Sequence, residues 1–371
     1  MHQNHQVKPS DPFTFSRTGI TVKNRSVLAA MTNKQSHEDG SISDQEIRWL
    51  SRRAEGGFGI ITTAATNVSK NGKGWDGEFG LYDDRYIDKL IELVSSVHDN
   101  DCLIFAQLFH GGMRAPESLT GKIPISASKI PCKESSSGFT YSASDQDINS
   151  IIQDFTLAAE RCVKSGFDGI ELHGAHGYLI SQFLGRKTNL RNDAWGGGIR
   201  SRAKFLIEIL RSIKKLVPKS FIVGVRISPE IEELGISLDD SIDLAKILRD
   251  EEIDFLHLSC WDSFKRANQY PDDPRTLTQW FTNNISDLPP VISTGGIWSA
   301  VDAKNVIDQG ADLIGVARAG IPHPDWGKSL QKEKYDPPKP PFTAKQLSDA
   351  DLGDVFIDYM RNWKGFVKNE Q

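Results

Sequence analysis

Short, nearly continuous apolar runs alternate along the chain with longer stretches of helical period. The runs are Val27–Met31, Phe58–Ala65, Cys102–Leu108, Asp168–His173, Phe221–Ile227, Asp254–Ser259, Pro290–Ser293 and Asp312–Ala317. Runs without polar alternation suit strands covered on both faces, as in a parallel sheet. Between them Ser43–Glu55, Asp84–His98, Asp147–Ser165, Arg200–Leu216, Leu238–Asp250 and Ser299–Gln309 read as amphipathic helices. Ser43-Asp44 is an N-cap signal, and Gly56-Gly57 stops the same helix. Three of these helices close in the same way, with a helix stop, then Asp, then a new strand, as in Gly166-Phe167-Asp168.

Eight strand–helix units are the number required for a closed (β/α)8 TIM barrel, an α/β fold. The competing architecture is a doubly wound open sheet. It is disfavoured because no GxGxxG follows the first strand and no GxxxxGK[ST] occurs. Two stretches break the rhythm. Residues His110–Asp147, rich in Gly, Pro and Ser, form a long excursion after strand three and read as an active-site lid or small subdomain. The tail, residues 336–371, starts with the stiff Asp336–Phe342 (DPPKPPF) and ends in a helix over Leu352–Lys364. The 371 residues exceed the about 250 of an ordinary barrel, so the chain is expected to be one barrel domain spanning 1–371 with these additions. The last helix, with Tyr359, Arg361 and Trp363, could fold back on the barrel or reach a neighbouring subunit in a homo-oligomer.

Composition narrows the function classes. With 38% hydrophobic residues and a net charge of −5, no basic field awaits nucleic acid or an anionic membrane. No apolar run approaches the roughly 20 residues that span a bilayer. The polar start MHQNHQVKPSDPF lacks the apolar segment of a signal peptide. A cytoplasmic protein acting on a small molecule is expected. Cys102, Cys132, Cys162 and Cys260 form no CxxC pair and read as reduced thiols.

In a barrel, chemistry sits at the carboxyl ends of the strands. Those positions carry Met31-Thr32, Ala65-Thr66, Gln107, His173, Arg226, Ser259, Thr294-Gly295-Gly296 and Ala317-Arg318. Asp and Glu are missing there, so a divalent-metal site is poorly supported. Lys is missing too, which disfavours Schiff-base chemistry. Gly295-Gly296 after strand seven and Arg318 after strand eight suit a phosphate; the plainer alternative for Gly-Gly is a tight turn. The densest signal is Glu171-Leu172-His173-Gly174-Ala175-His176-Gly177-Tyr178. Two histidines three apart without HExxH or a third ligand do not make a zinc site, so no metal is expected. As donors, His173 and His176 could grip an oxyanion or carbonyl oxygen, while Tyr178 could deliver a proton. One buried structural histidine is the alternative.

At this point the residues resemble a family. ELHGAHGYLISQFL, followed by Asn189, Arg191, Asp193 and Trp195-Gly196-Gly197, is similar to the Old Yellow Enzymes, the FMN-dependent NADH:flavin oxidoreductases. KNRSVLAAMT, Gln107 with the following HGG, GVRIS around Arg226, STGGI and GVAR add to it, so the resemblance covers nearly the whole chain. It implies FMN across the strand ends and NADH or NADPH as reductant. On it, Thr32 hydrogen-bonds the flavin near its C4 oxygen, Ala30 and Met31 belong to the same cofactor site, and Ala65 and Gln107 contact the ring edge and pyrimidine. Arg226 lies near N1 and the C2 oxygen, and Gly295, Gly296, Ala317 and Arg318 hold the phosphate. His173 and His176 bind the substrate carbonyl. Hydride passes from flavin N5 to the β-carbon of an α,β-unsaturated carbonyl compound, and Tyr178 protonates the α-carbon. Nitroreduction, demethylation or double-bond isomerisation at the same site is the alternative, and a non-catalytic flavin-binding barrel a further one.

Three departures from the family pattern stand out. Ala30 replaces a usual Pro, which is expected to loosen the first-strand turn. Arg200-Ser201 replaces a Glu-Asn pair that helps cap the next helix. Leu184-Gly185-Arg186 brings a positive charge close to the expected approach of the nicotinamide.

Overall fold

The computed structural model describes residues 7–368. Eight parallel strands close into a barrel in chain order: Ser26–Leu28, Ile60–Asn67, Leu103–Phe109, Gly169–Gly174, Ile222–Ile227, Phe255–Trp261, Val291–Gly295 and Leu313–Val316. Each coincides with an apolar run of the sequence. Helices Asp44–Glu55, Ile87–His98, Asp145–Lys164, Ile199–Leu216, Leu238–Asp250, Leu277–Asn284 and Ala300–Asp308 surround it. Side-chain oxygens cap several of them: Ser43 accepts from the Glu46 amide, and Ser144 and Ser299 complete capping boxes with Asp147 and Asp302. These bonds satisfy amide donors that no helical turn can reach. The Arg200-Ser201 departure shows locally: the helix they open starts at Gly198 without a side-chain cap.

The barrel interior is stacked in layers. The lowest is apolar: Val27, Ile60, Phe105, Ile222, Phe255, Ile292 and Leu313 pack together, and Phe15 and Val22 of an N-terminal hairpin (Phe13–Thr14 with Thr21–Val22) plug the end. Above it lies a polar layer. Gln107 Nε2 donates to Glu171 Oε1 (2.6 Å), Glu171 Oε2 meets His257 Nδ1 (2.5 Å), and His257 Nε2 meets Thr294 Oγ1 (2.6 Å). Burial opposes charge on Glu171, but His257 and Arg226 outweigh it and hold the carboxylate below its ordinary range. Above that, His173 pairs in register with Arg226, and Arg226 Nη2 reaches Ser259 Oγ (3.0 Å) at the mouth.

The excursion forms a side lobe with a two-stranded pairing of Ile125–Ser126 and Tyr141–Ser142. The Asn189, Arg191 and Asp193 motif ties that lobe down. Arg191 Nη1 donates to the carbonyls of Ala127 (3.0 Å) and Ala143 (2.5 Å), and Asn189 Nδ2 to those of Phe183 (2.7 Å) and Trp195 (2.8 Å). A signature of the family is thus architectural here. The last helix is Asp354–Met360, shorter than the expected Leu352–Lys364, and folds back on its own barrel, where Phe356 packs against Trp49. All four cysteines are buried and unpaired. Among the described residues, no helix is long and apolar enough to cross a membrane.

Candidate active site

A cavity of about 400 Å³ opens at the carboxyl ends of the strands, within the roughly 300–1,000 Å³ usual for ligand sites. It brings together every residue that the resemblance assigns to cofactor or substrate: Ala30, Met31, Thr32, Ala65, Gln107, His173, His176, Tyr178, Arg226, Gly295, Gly296, Ala317 and Arg318 all line it. They come from seven of the eight strand ends, an assembly that no sequence neighbourhood contains.

His173, His176 and Tyr178 form one wall. The His173 ring lies 5.0 Å from that of His176 and 4.9 Å from that of Tyr178, centroid to centroid. The Ala175 amide donates to His173 Nδ1 (3.3 Å). Burial, then the nearby His176 and Arg226, lowers the His173 pKa well below 6.5, so the ring is neutral. Its single proton therefore sits on Nε2, free to be donated. His176 Nε2 meets Ser259 Oγ at 2.7 Å, which in turn accepts from Arg226 Nη2 (3.0 Å). His176 is crowded by protein on one side and open to the cavity on the other, and desolvation followed by Arg226 lowers its pKa as well. Tyr178 is buried against Phe109, whose ring lies 4.9 Å away, and burial pushes its hydroxyl up to about 12. It keeps its proton throughout the neutral range.

Arg226 Nη1 donates to the Ala30 carbonyl (3.3 Å). The acceptor is the Ala30 backbone carbonyl, which Ala and Pro both possess. The buried Nε of Arg226 has no partner. Gly295 sits at φ 151°, where a Cβ would come within 2.7 Å of the Asp262 amide nitrogen, and Gly296 at φ 68°. Bare backbone beside Arg318 and an unsatisfied buried guanidinium N–H are what an anionic, nitrogen- and oxygen-rich ring with a phosphate would meet. No Asp or Glu lines this cavity. The residues fit FMN.

Arg186 requires a correction. Its guanidinium does not stand at the cavity mouth. It forms a two-pronged pair with Asp240 (2.9 and 2.7 Å), which also binds Arg202 (2.7 Å). The carboxylate draws the charge to the outer side of the barrel.

Sequence reasoning missed several lining residues. Arg114, Trp261, Tyr359, Met360 and Trp363 reach the cavity. Trp261 extends the sixth strand beyond the expected Ser259 end, at φ 59°. Tyr359, Met360 and Trp363 come from the tail, whose apolar spacing was visible but not its destination. Of the excursion, only Arg114 lines this cavity.

A barrel whose mouth carries bare Gly-Gly backbone beside an arginine, an unsatisfied buried guanidinium and no carboxylate suits a flavin-dependent redox enzyme. The match to known proteins is more specific: residues 11–337 fit the model of the NADH:flavin oxidoreductase / NADH oxidase family, and the chain belongs to that family, the Old Yellow Enzymes. It is 32% identical over 362 residues to a probable NADH-dependent flavin oxidoreductase of Bacillus subtilis, covering 92% of this chain and 96% of that one. An NADPH dehydrogenase of Bacillus licheniformis is 32% identical, over 86% of this chain and 93% of the relative. Among solved structures, the Old Yellow Enzyme homologue from Zymomonas mobilis superposes with a TM-score of 0.80 at 26% identity, covering 93% and 99% of the two chains. The chain is an NAD(P)H-dependent flavin oxidoreductase with FMN as its cofactor.

Proposed function

We propose that the enzyme reduces the activated C=C bond of α,β-unsaturated carbonyl compounds. His173 and His176 bind the carbonyl oxygen and Tyr178 delivers a proton to the α-carbon. FMN, when bound, supplies the two-electron chemistry that links NAD(P)H to the acceptor. Ala30, Met31, Thr32, Ala65, Gln107 and Arg226 would hold its ring system, and Gly295, Gly296, Ala317 and Arg318 its phosphate.

The observation that carries this reading is the pairing of a neutral His173, with Nε2–H free, and a protonated Tyr178 on one cavity wall, rings 4.9 Å apart. A neutral N–H donor binds a carbonyl oxygen and binds it more tightly as negative charge grows there, which is selective stabilisation of the transition state. Ser259 fixes the His176 ring and is itself fixed by Arg226, so the wall holds its shape before the acceptor arrives. Phe109 and Trp75 pack behind Tyr178 and keep water from competing for its proton. A barrel that only bound flavin would have no use for a buried, protonated phenol beside two imidazoles.

The test separates the two half-reactions of the FMN-loaded enzyme. In Tyr178→Phe, bleaching of the flavin by NADH or NADPH should proceed within a few-fold of the parent rate. Reoxidation by 2-cyclohexenone should slow by about 10²–10⁴, the usual worth of a positioned acid. Equal slowing of both halves would remove Tyr178 from the proposed role.

A further inference from the structure

Arg114 is a cation at the reacting end of the cavity that the chemistry above leaves unused. It ends the short helical turn Gly112–Arg114 after the third barrel strand. Its guanidinium carbon lies 4.5 Å from the Tyr178 ring centroid, and its Nη1 donates to the His176 carbonyl (2.6 Å). Both contacts aim the group at the wall that would hold the acceptor. Among the described residues it has no carboxylate partner, and its remaining N–H groups make no hydrogen bond.

Three arginines line this cavity: Arg114, Arg226 and Arg318. Arg318 follows the eighth strand and serves the phosphate end, and Arg226 sits between Ala30 and Ser259. Arg114 follows the third strand, three strand positions around the ring from the eighth. The adjoining cavity of about 410 Å³, which shares Arg114, His176, Ser259 and Trp261, adds Lys265 as a second cation. Its carboxylates are Glu233 and Glu230, and Glu230 is committed to the amides of Asn268 (2.9 Å) and Gln269 (2.8 Å). The pyrophosphate of a nicotinamide dinucleotide is separated from its reacting ring by a whole ribose. A cation lying directly on the proton donor instead suits an anion one or two bonds from the reacting carbons.

Building on the ene-reduction reading, we propose that Arg114 forms a carboxylate subsite, and that the preferred acceptors are α,β-unsaturated carbonyl compounds carrying a carboxylate close to the α-carbon. The planar guanidinium offers two parallel N–H donors to such a group.

The probe pair is (6-oxocyclohex-1-en-1-yl)acetate and its methyl ester, which differ in charge at one position. The FMN-loaded enzyme should show a kcat/KM at least tenfold higher for the acid. Arg114→Met should bring the acid-to-ester ratio to about one, and Arg114→Lys should keep most of it. The ratio is read within each variant, so any general loss from disturbing Tyr178 or His176 cancels. In parallel, the oxidised holoenzyme is titrated with the saturated analogue (2-oxocyclohexyl)acetate and its methyl ester, following the flavin absorbance. This binding ratio answers the question even if enones are not turned over, so loss of the ene-reduction reading and loss of the subsite remain distinguishable. A ratio near one in the parent protein, or a ratio unchanged in Arg114→Met, overturns the subsite. So does an Arg114→Met variant that raises KM for NADH but not for reduced nicotinamide mononucleotide, because the cation would then serve the dinucleotide.

Discussion

Desolvation and neighbouring positive charge lower the pKa of both histidines on the cavity wall. This has a consequence for pH. An imidazole with an ordinary pKa near 6.5 changes charge across the neutral range, and a site relying on it would show a break there. His173 and His176 should remain uncharged donors from about pH 6 to about pH 8. Affinity of the oxidised enzyme for cyclohexanone, a carbonyl ligand that stays neutral itself, should therefore be flat across that window. A tenfold change per pH unit would place an imidazolium in the site. The identities of His173, His176 and Tyr178 were legible because three polar side chains in eight residues stand out from an apolar strand end. What could not be read was the partner that fixes each: Ser259 lies 83 residues from His176, and only closure of the barrel brings them together.

At the scale of elements, the strands and most helices were legible to within a few residues, since full burial leaves nearly uninterrupted apolar runs. The loops were less so, because their courses depend on single polar contacts. The loop after the first strand shows this. It carries Met31 and Thr32 into the cavity and is fastened to the first helix by Glu46, which accepts from Asn33 Nδ2 (2.7 Å) and from Ser36 Oγ. Burial raises the Glu46 pKa from 4.5 to about 7, against the pull of those two donors. A carboxyl with a raised folded-state pKa takes up a proton on folding. Its stabilising effect is complete below pH 4.5 and is lost as pH rises through about 7. The separation of 4.5 and about 7 corresponds to a loss of order 3 kcal/mol. Urea unfolding at about pH 5 and about pH 8 should show this slope in the parent protein and a shallower one in Glu46→Gln. The variant should be the more stable of the two at the higher pH. Identical slopes would mean that Glu46 ionises normally.

For the whole molecule, the length beyond a bare barrel went to places the pattern could locate but not interpret. The excursion became a lobe clamped by Arg191 that sends one arginine to the cavity, and the tail became part of the cavity wall. The tail's anchor is Phe356, fully buried in a T-shaped contact with Trp49 of the first helix, ring centroids 5.3 Å apart. The same short helix presents Tyr359 and Met360 to the cavity, and the turn after it presents Trp363, which lies 6.0 Å from the ring of Trp261 across the mouth. Stability and site shape are thus coupled through one aromatic pair. Phe356→Ala should cost about 3–5 kcal/mol, as expected for emptying a buried aromatic site. It should also raise KM for the enone acceptor several-fold. Shortening Trp363 to Ala removes a lip of the mouth without touching the anchor, so it should raise that KM while leaving the unfolding free energy from urea titration within about 0.5 kcal/mol of the parent. If Phe356→Ala lowers stability with no change in KM, the tail is a strap on the barrel and not a wall of its active site.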